Sequence, residues 1–365
     1  MAATAEWTQI GGRVRQARLG RAMSQADLGD RVGLDRSALT RVEAGDRRIT
    51  ALELLSIADC LHVPMSWFLE EPLPAVVSMR TPLDEQANPT EAQQFTADVA
   101  LEQAWRDVEQ LQAGGYLQPV QFPARAITDQ ESAAELARMA RSRLGLEDEP
   151  LPPLADVAAG LGLHITVMDD EMDGASLTPT PGFGVAIVGG RSSPGRRRMT
   201  AAHEIGHHVT GDEYASDVGV ATSRDARERL IDAFAHELLL PTAVLQVVPV
   251  GGASIPELRK HLIRIGAAYR VSWSASVRGL QRVAALPDDV AQDLIADPPL
   301  RGDFLRVVGA DVPEDLQVGT SSSTWRQAVM AAYEDGFVMA PRALELLRDP
   351  SLGPQDLPEP AAASW

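Results

Sequence analysis

One cysteine, Cys60, and one lysine, Lys260, are all that this chain of 365 residues holds of either type. A single thiol excludes an internal disulfide and any metal site built from cysteines. Aromatic residues are also scarce, at 5%. No apolar run approaches the ~18 residues that a membrane helix needs. The opening stretch MAATAEWTQIGGR has no apolar signal-type segment. These absences point to a cytoplasmic protein with no membrane partner. Net positive charge is missing as well: the chain carries −18, which excludes a protein that coats nucleic acid generally. The charge is uneven. Residues 1–70 hold nine Arg and nine Asp or Glu and cancel, so the remainder carries the whole excess. An electrically distinct N-terminal module is implied. The length suits two or three domains, and 45% hydrophobic content suits a globular interior.

What is present centres on Met199–Val209, MTAAHEIGHHV. His203-Glu204-Ile205-Gly206-His207 is an H-E-x-x-H pattern. On a helix His203 and His207 stand one turn apart on one face. Two neutral imidazoles so placed can hold a zinc ion. Glu204 can reach a water at the metal and act as general base. The bland alternative is a helix with surface histidines. A metal site also needs a third protein ligand, and the apolar-striped segment Ser223–Pro241 offers Glu228 and Asp232 one turn apart, with His236 or a water as further options. His208 points about 100° away from His207 and suits a supporting or surface position.

Residues 6–72 read as a succession of short capped helices. Ile10, Val14 and Leu19 mark the first. Ser24 caps Gln25–Val32, which ends at Gly33. Asp35–Ala44 follows, then Ala51–Leu61 capped by Thr50, then Ser66–Leu69. Ser24-Gln25, Leu28, Gly33, Leu34, Leu39, Val42-Glu43, Gly45 and the Leu54/Ile57/Ala58/Leu61 stripe resemble the XRE-type (Cro/repressor-like) helix-turn-helix. The resemblance implies binding to an operator in double-stranded DNA, with Arg36, Ser37, Thr40 and Arg41 facing the major groove. Gln25 would stand near the DNA backbone, and Arg47 and Arg48 would contact phosphates. A helical bundle for protein contacts alone is the alternative. Cys60 suits a small core position.

Residues 73–125 comprise a Pro-rich linker and a helix, Thr90–Gln112, that either packs on the next domain or pairs two chains into a homodimer. From Ser132 a helix, a short helix closed by Gly162, and β segments at His164–Val167, Ala175–Thr178 and Phe183–Val188 precede the metal helix. They indicate an α+β domain. Phe183–Val188 is either a core strand or an edge strand able to align an extended peptide. Gly189–Arg198, with its Arg196–Arg198 run, reads as a solvated basic loop. His164 suits a structural place. Tyr214 suits an exposed loop, with donation to an oxyanion as the functional alternative.

The Arg196–Thr200 stretch, HEIGHH and ERLIDAFAHELLLP together resemble the ImmA/IrrE family of metallopeptidases. That resemblance implies a zincin-like domain over residues 126–245, with His203, His207 and Glu228 holding Zn²⁺ (Mn²⁺ the alternative) and Glu204 catalytic. It places Asp232 where the family commonly has Asn. It implies an endopeptidase acting on a regulatory protein of the repressor type in a stress or mobile-element response, or on its own linker between Glu70 and Pro89. A regulator or antitoxin whose metal domain binds without proteolysis is the alternative. Residues 246–350 read as helical, with Ile255–Ala267 and Ser274–Ala284 either a second helix-turn-helix-like unit or plain packing. A tail over 351–365 is expected to be disordered.

Overall fold

A computed structural model describes residues 7–73, 78–79, 91–211, 221–284 and 286–359. The chain divides into two compact units: residues 1–76 with 81–106, and residues 77–80 with 107–365. One boundary falls inside a long helix, between residues 106 and 107, and the others fall in the Pro-rich stretch.

The first unit holds α1 (Trp7–Gly20), α2 (Gln25–Val32), α3 (Arg36–Glu43), α4 (Ala51–Leu61), α5 (Met65–Leu69) and the start of α6 (Glu91–Ala113). Local chemistry fixes most of these ends. Ser24 and Asp27 form a reciprocal capping box at α2, and Thr50 and Glu53 form another at α4. Asp35 caps α3 by accepting the Ala38 amide at 2.7 Å. Gly33 takes φ 71°, the left-handed conformation that lets the chain turn sharply between α2 and α3. Val14, Leu28, Leu39, Ile57 and Phe68 fill the core, with Phe95 and Val99 of α6 added to it. Leu19 does not join them. It is 51% exposed, because Ala17 rather than Leu19 continues the face of Ile10 and Val14. Cys60 packs against the same core.

The second unit is mixed. Strands β1 (Ser78–Met79), β2 (Leu163–Met168), β3 (Gly174–Thr180) and β4 (Phe183–Gly189) form one sheet in the order β1-β3-β4-β2. β3 and β4 are antiparallel, β2 and β4 are parallel, and β1 adds antiparallel to β3. Phe183–Val188 is therefore interior. β4 is buried along its whole length, as a strand flanked on both sides must be.

Helices α7 (Gln130–Arg143), α8 (Leu154–Gly160), α9 (Pro194–Thr210) and α10 (Ala221–Leu239) enclose the sheet. Leu136, Leu154, Ile165, Val188, Ile205 and Phe234 share their core. Then follow α11 (Thr242–Gln246), α12 (Ile255–Tyr269), α13 (Trp273–Val283), α14 (Asp288–Ala296), α15 (Arg301–Val308), α16 (Ser323–Glu334) and α17 (Ala340–Leu347). α12 and α13 pack around Leu258, Leu262, Val277 and Leu280. No helix among the described residues is long and apolar enough to cross a membrane.

Two further expectations change. Arg196–Arg198 is not a solvated loop: Pro194 starts α9 at its first position, where a missing amide costs nothing. Arg197 and Arg198 are buried within that helix, and Arg196 pairs with Asp173 at 2.8 Å. Nor is the tail wholly without structure. Residues 354–356 form a 3-10 turn, and the Tyr333 hydroxyl donates to the Pro358 carbonyl oxygen at 3.0 Å. Residues 360–365 lie outside the described residues.

In the first unit Asp98 on α6 is pushed up to about 6 by burial, with the neighbouring Glu102 carboxylate adding to the shift. Its folded value exceeds the ordinary 3.8. The folded state therefore holds a proton that the unfolded chain has released, and stability falls as pH rises through that interval. Asp98→Asn is expected to stabilise the protein above pH 6 by on the order of 1 kcal/mol, discounted for partial solvation. The gain should vanish below pH 3.8, as read by urea unfolding at a series of pH values.

Candidate metal centre and nucleic-acid interface

In the first unit a buried polar network sets α1, α2 and α3 against one another. The Arg18 guanidinium grips the Glu43 carboxylate through Nε at 2.6 Å and Nη2 at 3.0 Å, and Gln25 Nε2 donates to the same carboxylate at 2.8 Å. Thr40 Oγ1 lies 3.0 Å from Gln25 Oε1. Gln25 thus ties the first residue of α2 to α3. Arg36, Ser37, Thr40 and Arg41 are exposed on α3, opposite the buried Ala38, Leu39 and Val42. Ser37 Oγ donates to Asp35 at 2.7 Å.

The two arginines after α3 differ. Arg48 is exposed. Arg47 is engaged with Glu53 through two hydrogen bonds, 2.6 and 3.3 Å, and that guanidinium is the first cause holding the Glu53 carboxyl down to about 2. The sequence offers both arginines as phosphate contacts. Arg18, the centre of the network, carried no local signal because its partner is 25 residues away.

The second unit brings His203, His207 and Glu228 together. Their ligand atoms all lie within 4.8 Å of one another. His203 Nε2 is 3.1 Å from His207 Nε2 and 3.1 Å from Glu228 Oε2, and His207 Nε2 is 3.6 Å from that oxygen. Ligand atoms 2.0–2.1 Å from a tetrahedral zinc stand about 3.3 Å apart, so the separations fit.

Hydrogen bonding adds a second reason. His203 Nδ1 lies 2.9 Å from Asp232 Oδ1. A carboxylate only accepts, so Nδ1 carries a proton toward Asp232, and Nε2 is the nitrogen that faces the Glu228 oxygen and the His207 ring. A cation at the centre of the three atoms satisfies them together. Asp232, weighed above as an alternative ligand, sits behind His203 instead, and an orienting carboxylate there raises ligand basicity. Burial opposes charge on His203, but Asp232 and Glu228 outweigh it and raise its pKa. Burial alone would also raise Glu228, yet the hydrogen bonds to His203 and His207 hold it far below the usual carboxylate range. His236 is not part of the cluster.

Helix packing makes this meeting possible. A Cβ on Gly206 would lie 2.9 Å from Ile231 Cγ2 and 3.0 Å from Phe234 Cδ1. The glycine inside the motif lets α10 approach α9 closely, at an intrinsic cost of about 1 kcal/mol to the helix. Sequence treated that position as free.

Glu204 is fully buried. Ser176 Oγ on β3 donates to Glu204 Oε2 at 2.6 Å, while Oε1 has no protein partner. A buried carboxylate oxygen left without a donor is costly, and a water bound there would satisfy it. Ser176 was invisible as a site residue: it is one small polar residue in a strand. His208 is not a surface residue. Its Nε2 lies 3.0 Å from the Leu161 carbonyl and its Nδ1 2.9 Å from Thr178 Oγ1. A carbonyl only accepts, so Nε2 carries the proton and Nδ1 accepts from the threonine. Burial pushes His208 down to about 4. It ties α9 to β3 and the end of α8. His164 is likewise buried and pushed down to about 4, first by burial and then by Arg348; it packs on Trp325. Tyr214 lies outside the described residues.

If Asp232 orients His203, Asp232→Ala should weaken divalent-metal affinity by about 10–100-fold, measured by competition with a chromophoric chelator. Unchanged affinity would remove Asp232 from the site.

Comparison with known proteins agrees with this division. Residues 14–68 match the family model described as Helix-turn-helix, and residues 159–280 match the IrrE N-terminal-like domain. Over 62 residues the chain is 39% identical to an HTH-type transcriptional regulator of Sinorhizobium fredii, a stretch covering 17% of this chain and 43% of that one. It is 36% identical over 62 residues to HTH-type transcriptional regulators of Sinorhizobium medicae and Rhizobium meliloti, covering 17% of this chain and 45% of each. The chain thus spans less than half the length of these curated relatives. A solved structure, ComR from Streptococcus suis, aligns over 80% of this chain and 78% of its own at 15% identity, but with a TM-score of 0.18 the likeness bears on neither fold nor function. The chain joins an XRE-type helix-turn-helix domain at its N-terminus to an ImmA/IrrE-like domain of the M78 peptidase family.

Proposed function

We propose that the protein is a DNA-binding transcriptional regulator whose zincin-like domain is a metal-dependent endopeptidase. The observation that carries this is the meeting of Glu228 on α10 with His203 and His207 on α9, the helix that also buries Glu204, with one oxygen of that acid unpartnered. A metal used only as a structural staple has no need of such an acid. Zn²⁺ suits two imidazoles and a carboxylate best, with Mn²⁺ the alternative. Bound there, the ion supplies Lewis acidity toward a peptide carbonyl and a water.

The chain's own residues do the rest. Glu204 takes the proton of the attacking water and returns it to the leaving nitrogen. Ser176 holds the other oxygen of Glu204 in place. Asp232 keeps the His203 proton on Nδ1. On the first unit Arg36, Ser37, Thr40 and Arg41 present their side chains to an operator's major groove, with Arg48 at a phosphate.

The sheet edge supports a peptide substrate. β3 carries Ser176, the partner of Glu204, and its outer edge is the one to which a strand adds. The segment paired there is Ser78–Met79, with Ser78 opposite Ser176 and Met79 opposite Ala175. These residues belong to the stretch joining the two domains. The substrate is accordingly an extended segment of a repressor-type protein, and the chain's own linker is the first such segment at hand. Its cleavage would release the DNA-binding domain, a route to the stress or mobile-element response that the family resemblance implies.

Full-length protein loaded with Zn²⁺ or Mn²⁺ is expected to be cut beside Ser78–Met79, and Glu204→Gln is expected to keep its metal and stay whole, as read by intact-mass spectrometry. If the loaded wild type also stays whole under the inducing condition, and promoter control is unaltered in Glu204→Gln, the metal domain binds without proteolysis.

A further inference from the structure

A cavity of about 1000 Å³ lies at the opposite end of α9 from the histidines. Ser193 is the N-cap of α9, yet its side chain makes no bond to the helix. Beside it stands the start of α13. A Cβ on Gly195 would lie 3.2 Å from the Ser272 amide nitrogen and 3.3 Å from Ser272 Cβ. Two helix N-termini therefore border one cavity, each with a partial positive charge; at α13 the Ser272 hydroxyl already accepts the Ala275 amide at 3.2 Å, whereas α9 has no side-chain cap.

The cavity also holds an unmet donor. Arg198, one turn into α9, is 1% exposed and lines this space. Its Nη1 bonds Asp315, but Nε and Nη2 have no hydrogen-bond partner. Arg270 lies 3.5 Å from the same Asp315 oxygen and donates to the carbonyls of Leu151 and Pro152. Two guanidinium groups thus share one carboxylate. The other charged groups around the cavity neutralise one another. Arg301 pairs with Asp311 at 2.6 Å, and Glu314 pairs with Arg197 at 3.3 Å. One positive charge is left over at the buried end. Trp273 and Phe304 supply apolar walls, the indole N–H being spent on the Leu294 carbonyl oxygen.

We infer that this cavity binds a small organic oxyanion, with a phosphate or carboxylate head between Arg198 and the two helix starts and an apolar or aromatic body against Trp273. Helix N-termini and arginine are the two devices that recognise such heads, and the volume suits a ligand of that size. The ligand would sit about 15 Å along α9 from His203, given 1.5 Å per residue. Metal binding and peptide cleavage are not needed for it, so this site stands or falls apart from the proposed peptidase.

Phenyl phosphate, benzoate and inorganic phosphate are the probes, titrated into the full chain by calorimetry with Tm as a second readout. Phenyl phosphate or benzoate should bind and raise the Tm, and more tightly than inorganic phosphate. The tighter of the two aryl probes identifies the head group. Arg198→Gln should weaken binding about tenfold or more. Ser193→Asp gives a test that does not depend on a buried residue. A carboxylate at the N-cap favours the helix, so the Tm without ligand should hold or rise, while binding should again weaken about tenfold. No binding of any probe to the wild type at millimolar concentration would overturn the inference. So would unchanged affinity in Ser193→Asp.

Discussion

The close crossing of α9 and α10 at Gly206 governs the candidate metal site. The three candidate ligands come from two helices, and only the approach of Ile231 and Phe234 to a residue without a side chain brings Glu228 within 3.1 Å of His203. A larger residue would push α10 outward and open the cluster. The same crossing carries Asp232 to His203 Nδ1. Core packing and the geometry of the candidate ligands are therefore one arrangement: Ile205 and Phe234, neighbours of the site in sequence, are buried in the core that joins sheet and helices.

Buried ion pairs recur where elements distant in sequence must keep a fixed register. Arg18 with Glu43 joins α1 to α3. Arg13 with Glu102 joins α1 to α6, at 2.7 Å, and the Arg13 guanidinium lies 4.0 Å from the Trp67 ring centre. Arg198 with Asp315 joins α9 to a segment 117 residues later. Such pairs add little net stability because desolvation offsets their attraction, whereas losing one partner strands a buried charge. Their value is in specifying which surfaces meet.

That pattern explains what could be read in the sequence. Ser24, Asp35 and Thr50 act on amides three residues away, so the helix-turn-helix domain was legible nearly to its ends. His203 and His207 were legible for the same reason, being four residues apart on one helix. Glu228 needed the resemblance to a family, since spacing alone left Asp232 equally open. Features made by distant contacts were not legible. Arg196–Arg198 looked like a solvated loop until Asp173, Glu314 and Asp315 were placed around it. Phe183–Val188 could be edge or core until β3 and β2 flanked it. Ser176 gave no signal, because a serine is recognised as a partner only when the carboxylate it meets is known.

The proposed function depends on His203, His207 and Glu228 acting as one metal site. Its most direct test is the metal content of purified wild type beside Glu228→Ala, by inductively coupled plasma mass spectrometry. A stoichiometric divalent metal in the wild type that is lost in the variant is the result it predicts. Equal metal in both proteins would contradict it.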